Sequence, residues 1–136
     1  MSFRFLEHVA DVLFEATGKT FEEALESAAD AVSAAAAENV KAKERFEFEE
    51  SAANVEELVV AMLQRFLVES DVRTLQPAKM KVTAFSEAPG KVYAKAVGWA
   101  GKGTAKTIIK GVTYGMLKAE KLKGNKGWKL QVLLDI

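Results

Sequence analysis

The chain contains no cysteine, so it has no disulfide framework and no thiolate to act as nucleophile or soft metal ligand. Its single histidine, His8, excludes a metal centre built on several imidazoles, and no serine sits in a Gly-x-Ser-x-Gly elbow, so a nucleophilic triad is not expected. The glycine-rich stretch GWAGKG at residues 98–103 lacks the following helix and the Lys-Ser/Thr pair of a phosphate-cradling loop, which removes the P-loop nucleotidases from consideration. Long apolar runs are missing too. The longest small-residue stretch, AVSAAAA at residues 31–37, falls far short of the roughly 20 residues needed to cross a bilayer. The opening MSFRFLEHVAD has no basic segment leading into an apolar one, so neither secretion nor membrane insertion is expected and the cytoplasm is the expected location.

What is present describes a soluble globular chain. With 136 residues, 49% hydrophobic and 28% charged, it has the composition and length of one self-sufficient domain, expected over residues 1–136. Net charge is zero but unevenly spread. Residues 1–90 carry 9 Lys/Arg against 17 Asp/Glu, whereas residues 91–136 carry 10 lysines against Glu120 and Asp135 alone. A basic C-terminal third of this kind suits RNA phosphates or an acidic partner, unless folding interleaves it with the acidic two thirds.

Hydrophobic periodicity gives the order of elements. Short strands are predicted over residues 3–7 and 12–17, separated by a turn from His8 to Asp11. Thr20 followed by Glu23 forms a capping box, and the apolar positions Phe21, Ala24, Leu25, Ala28, Ala31, Val32 and Ala35 make a helical stripe ending near Glu38. KAKERFEFEE at 41–50 alternates as a strand with one wet face. Asn54 and Glu57 repeat the cap logic, and Val55 to Leu67 carries a wide apolar face, the pattern of a central buried helix. Residues 79–99 read as a hairpin about Pro89-Gly90, AGKG at 100–103 as a flexible loop, and roughly 107–121 with 127–135 as a second hairpin around KGNKG. The expected fold is α+β, a mostly antiparallel and curled β-sheet with two packed α-helices.

Hardware for chemistry is limited to oxygen donors. Asp11 stands at the break before an apolar strand, and QVLLDI closes the sequence with Asp135 and the α-carboxylate of Ile136 after β-forming residues. If the last strand lies beside the one that starts at Asp11, these carboxylates converge, and their mutual repulsion calls for a hard cation such as Ca²⁺, Mg²⁺ or Mn²⁺. The plainer reading is a turn capped by Asp11, a solvated Asp135 and an Ile136 that completes the core. His8, three residues before Asp11, suits a local hydrogen bond that fixes the turn. Lys110 is conspicuous in the apolar TIIKGVTYG. Alternation would put it on one face with Val112 and Tyr114, as a functional cation or as a lysine snorkelling at a sheet edge.

FLEHVADVLFEATGKTFEEALESAADAV, together with IKGVTYGMLKAEK and GWKLQVLLDI near the other end, resembles the archease family. The first segment matches its His-x-Ala-Asp turn, strand, glycine and Thr-x-x-Glu helix start; the others match its Lys-Ala-Val/Ile-Thr-Tyr strand, Gly-Trp hairpin and Leu-Asp-Ile terminus. The resemblance implies a non-catalytic accessory protein of RtcB, the GTP- and Mn²⁺-dependent RNA ligase of tRNA splicing, that promotes guanylylation and multiple turnover of the ligase. It implies a divalent metal site at Asp11, Asp135 and the main chain of Ile136, with Ca²⁺ the ion expected in crystals and Mg²⁺ or Mn²⁺ in use. It further implies turn support from His8 and a contact from Lys110 to the ligase, its nucleotide or RNA. The chain departs from the family pattern at Ile108, where an acidic residue is usual, at Gly111, where alanine is usual, and at Gly115, where many relatives carry histidine or serine. A general RNA-binding or chaperone-like module using the basic third is the alternative from composition, and a small metal-dependent enzyme lacks a general base.

Overall fold

The computed structural model describes residues 2–6 and 11–136. In chain order they form β1 (Ser2–Leu6), β2 (Val12–Gly18), α1 (Phe21–Ala36), β3 (Ala37–Ala52), α2 (Val55–Val72), β4 (Gln76–Ala88), β5 (Lys91–Ala105), β6 (Gly111–Lys121) and β7 (Trp128–Asp135). The order of strands and helices is the one the periodicity predicts. The strands divide into two sheets, β1-β2-β7-β6 and β3-β5-β4, and every pairing is antiparallel.

Both helices start where their caps dictate. The Thr20 hydroxyl accepts from the Glu23 amide at 3.1 Å while the Glu23 carboxylate accepts from the Lys19 amide at 3.1 Å, and Asn54 with Glu57 repeats the pattern at 2.9 and 3.3 Å. Alanines Ala24, Ala28 and Ala31 are fully buried on α1, and their small side chains let the helix lie close to its neighbours. The helix stops at Ala36, two residues before the expected end, and β3 begins at once. The Ala36 carbonyl accepts instead from the amides of Lys106 and Thr107 at 2.9 and 3.3 Å. Helix α2 buries Leu58, Val59, Met62, Leu63 and Phe66, and one cluster of buried side chains draws on both helices and both sheets.

Two local expectations are corrected. Residues 100–103 lie inside β5 and pair with β3. β3 is irregular there, with register shifts between Glu38 and Lys41 and between Ala42 and Glu44, and a Cβ at Gly101 would collide with the Lys41 carbonyl oxygen. The glycine permits a bulged strand to approach, which in sequence looks the same as loop flexibility. The second hairpin also begins later. Residues 106–110 are not strand, and β6 starts at Gly111.

Candidate functional site

The sequence-predicted residues meet at one end of the four-stranded sheet. Strand β7 lies between β2 and β6, with Val12 paired to Leu134 and Gly111 paired to Asp135. Continued one residue past the Val12 pair, the antiparallel register would bring Asp11, at the bend before β2, opposite Asp135. On the other side the Lys110 amide donates to the Asp135 carbonyl at 2.7 Å, so Lys110 and Ile136 sit beside the same pair. Leu130, Val132 and Leu134 are fully buried, so alternation along β7 turns Asp135 to the opposite face, where it is exposed. Asp11 is half-buried at a bend. His8, the expected support of this turn, lies outside the described residues.

Among the described residues, Asp11, Asp135 and Lys110 form no salt bridge. Nor is there, among them, a group of three or more Asp, Glu, His or Cys side chains placed to hold a metal ion. The expected donors, Asp11, Asp135 and the main chain of Ile136, would offer oxygen atoms only. These are hard oxygens, suited to Ca²⁺, Mg²⁺ or Mn²⁺ and unsuited to soft metals.

Lys110 does not share a face with Val112 and Tyr114 as alternation predicts. It precedes the strand and is exposed, Val112 is buried, and Tyr114 is 64% exposed. β6 breaks the period of two: Thr113 pairs with Leu133 and the next pair is Lys118 with Gln131, so β6 uses five residues where β7 uses two. Within this bulge Met116 takes φ +58°, held by the buried Gln131, whose side-chain amide donates to the Met116 carbonyl at 2.8 Å.

Gln64 contributes a contact that sequence reasoning missed. From α2 its side-chain oxygen accepts from the Val112 amide at 2.9 Å, capping the outer edge of β6 next to the acidic pair. A lone glutamine in VVAMLQRF was the only signal. Gly111 belongs to the same contact, because a Cβ there would come within 3.2 Å of the Gln64 oxygen. At Gly115 a Cβ would meet only ordinary contacts, at 3.4 Å from the Thr113 hydroxyl and 3.5 Å from Leu133. Beside Lys110 opens a groove of about 710 Å³ lined by Gln64, Leu67, Leu75, Gly101 and Ile108, with Ile108 83% exposed.

No helix of the described residues is long and apolar enough to cross a membrane. A model of the Archease protein family matches residues 3–136. The chain is 34% identical over 141 residues to the archease of Methanosarcina mazei and 32% identical over 141 residues to that of Methanosarcina acetivorans, in each case covering 98% of this chain and 95% of the relative. Its fold is similar to the solution structure of Methanobacterium thermoautotrophicum protein 1598, with a TM-score of 0.82 at 24% identity over 99% of both chains. It is also similar to the crystal structure of a Thermotoga maritima protein described as an archease and possible chaperone. That match has a TM-score of 0.64 at 21% identity over 96% of this chain and 94% of the other.

Proposed function

The chain belongs to the archease family, and on that premise we propose that it is a non-catalytic activator of an RtcB-type RNA ligase in tRNA splicing. The observation that supports the reading is the register at the sheet end, which would bring Asp11 opposite Asp135 with Ile136 and Lys110 alongside. Asp11 and Asp135 would hold a divalent cation through carboxylate oxygens and Ile136 through a main-chain oxygen. When bound, such a cation supplies concentrated positive charge to which phosphate or carboxylate oxygens bind. Two carboxylates and one main-chain oxygen are fewer than the six or so ligands that these ions take. Coordination positions are thus left for water or for groups of the ligase, as an activator that works inside a partner's site requires. Lys110 presents an exposed ammonium beside them, a point charge for a phosphate oxygen of the nucleotide or RNA.

The cytoplasm is the proposed location, and Ca²⁺, Mg²⁺ and Mn²⁺ are the proposed ions. The test is transfer of labelled guanylate from GTP to an RtcB-type ligase, with and without the protein. The intact protein should accelerate labelling, and Asp11→Ala should remove the acceleration. Equal labelling with both would set the reading aside. A general RNA-binding or chaperone-like role instead predicts RNA binding with no acceleration of labelling by the intact protein. An intrinsic metal-dependent turnover would show activity without any ligase.

A further inference from the structure

The basic excess that follows residue 90 is divided by the fold. On β5 the register with β3 sets Lys95 opposite Glu49 and Lys102 opposite Lys41. Lys106 and Lys110 lie between β5 and β6, and five more lysines gather on the β6–β7 hairpin. There Lys118, Lys121, Lys123 and Lys126 are all exposed and Lys129 is half-exposed. The Gly18-Lys19 turn adds a sixth ammonium, because it packs so tightly on Gly127 that a Cβ there would strike the Gly18 carbonyl oxygen. Opposing charge is scarce. Glu120 is the one acid between residues 118 and 129. Among the described residues only Lys129 of these six lysines forms an ion pair, at 3.4 Å with Glu15, and Glu15 already binds Arg4 at 2.7 Å. Glu22 and Glu23 lie in the first turn of α1, where the Glu23 carboxylate is engaged by the Lys19 amide.

The character of the patch identifies its partner. Protein interfaces centre on exposed apolar or aromatic anchors and are depleted in lysine. Here Trp128 is half-buried, edge-on to Phe21 at 5.3 Å and covered by the Lys121 ammonium at 5.4 Å, so no anchor is offered. The exposed Ile108, Tyr114 and Met116 precede this tip in the chain, from the approach to the acidic end through the bulge. Unpaired lysines on a protruding turn suit the regularly spaced charges of a phosphate backbone, which are bound without base recognition. We propose that the Lys118–Lys129 hairpin, with Lys19, is a sequence-independent contact for the phosphate backbone of RNA. Seven residue steps along β7 separate Trp128 from Asp135, which at strand rise is about 24 Å. The hairpin therefore grips RNA well away from the carboxylate pair, and it does so whether or not a ligase is present.

The test uses the protein alone with a fluorescent single-stranded RNA of mixed sequence, titrated by anisotropy over a range of salt concentrations. One variant carries Lys118→Glu, Lys121→Glu, Lys123→Glu and Lys126→Glu. A control with the same charge change carries Lys81→Glu, Lys91→Glu, Lys95→Glu and Lys102→Glu in the three-stranded sheet. All eight positions are exposed, so both variants should keep the wild-type circular dichroism at the temperature of the titration. The hairpin variant should bind at least about tenfold more weakly at low salt. Its log–log salt slope should flatten by about 3, since each lost single-strand phosphate contact is worth about 0.7. The control should stay near wild type. Equal loss in both variants would reduce the effect to net charge and overturn the proposal, as would an unaffected hairpin variant or a wild type that does not bind RNA. Displacement of the RNA by poly-glutamate at equal charge concentration would assign the patch to an acidic protein and overturn it too. Failure of guanylylation in the ligase assay leaves this result unchanged, so the two readings fail separately.

Discussion

At the residue scale the decisive pair is Asp11 and Asp135. Two carboxylates brought together where neighbouring strands meet would repel. Asp135→Asn should therefore hold or raise stability in metal-free buffer, by about 0.2–1 kcal/mol. Addition of Ca²⁺ should raise the melting temperature of the wild type and not of the variant. Calorimetric melting with chelator and with excess Ca²⁺ checks both halves, and an equal Ca²⁺ response in the two proteins would contradict the metal site. That Asp11 and Asp135 come to one end of the sheet was legible only as a condition, because whether the last strand lies beside the one after Asp11 is not local information. Gln64 was not legible, since its value depends on where α2 sits against the edge of β6, which no local pattern encodes. Gly101 was misread for a related reason. Its lack of a side chain serves a contact with Lys41, distant in sequence, and Gly101→Ala should cost about 1–3 kcal/mol or more in urea denaturation.

At the element scale the helices were the most legible parts of the chain. Their caps are local chemistry, and both capping boxes form as the spacing predicts. Thr20→Ala should cost about 1 kcal/mol, measurable as a shift in the urea midpoint. Strand ends were less legible. The extension of β5 through residue 105 and the bulge of β6 are set by the register of their neighbours, so period-two reasoning failed there. Helix α2 also carries a pH signature. Arg65 binds Glu69 and, across to β3, Glu50, both at 2.7 Å, while Arg73 adds a second hydrogen bond to Glu69 at 3.0 Å. These bonds, that from Arg65 foremost, hold the Glu69 carboxyl below the usual glutamate value. A folded-state value below the unfolded one gives stability that is complete above the ordinary glutamate pKa of about 4.3. That stability is lost as the pH falls through the lowered value. The difference in unfolding free energy between wild type and Glu69→Gln should be constant near neutrality and shrink below about pH 4. A difference that does not change with pH would show that the network contributes packing alone.

At the scale of the whole molecule the four-stranded sheet separates two chemistries. One end holds Asp11, Asp135 and Lys110; the other holds the lysine-rich hairpin. Composition alone showed the basic third, but only the topology separates the lysines carried into the three-stranded sheet from those at the hairpin tip. The resemblance of the two end motifs supplied the expectation of a ligase partner, which neither periodicity nor charge could have named. Gly111 and Gly115 depart from the family pattern without disturbing the acidic end: Gly111 leaves room for Gln64, and Gly115 has space around it. The most direct test of the account is multiple-turnover RNA ligation by an RtcB-type ligase from the same organism, with GTP and Mn²⁺, in the presence of the wild type or Asp135→Asn. The account predicts several products per ligase with the wild type, and a return to the unassisted level with the variant. Full stimulation by Asp135→Asn would contradict it.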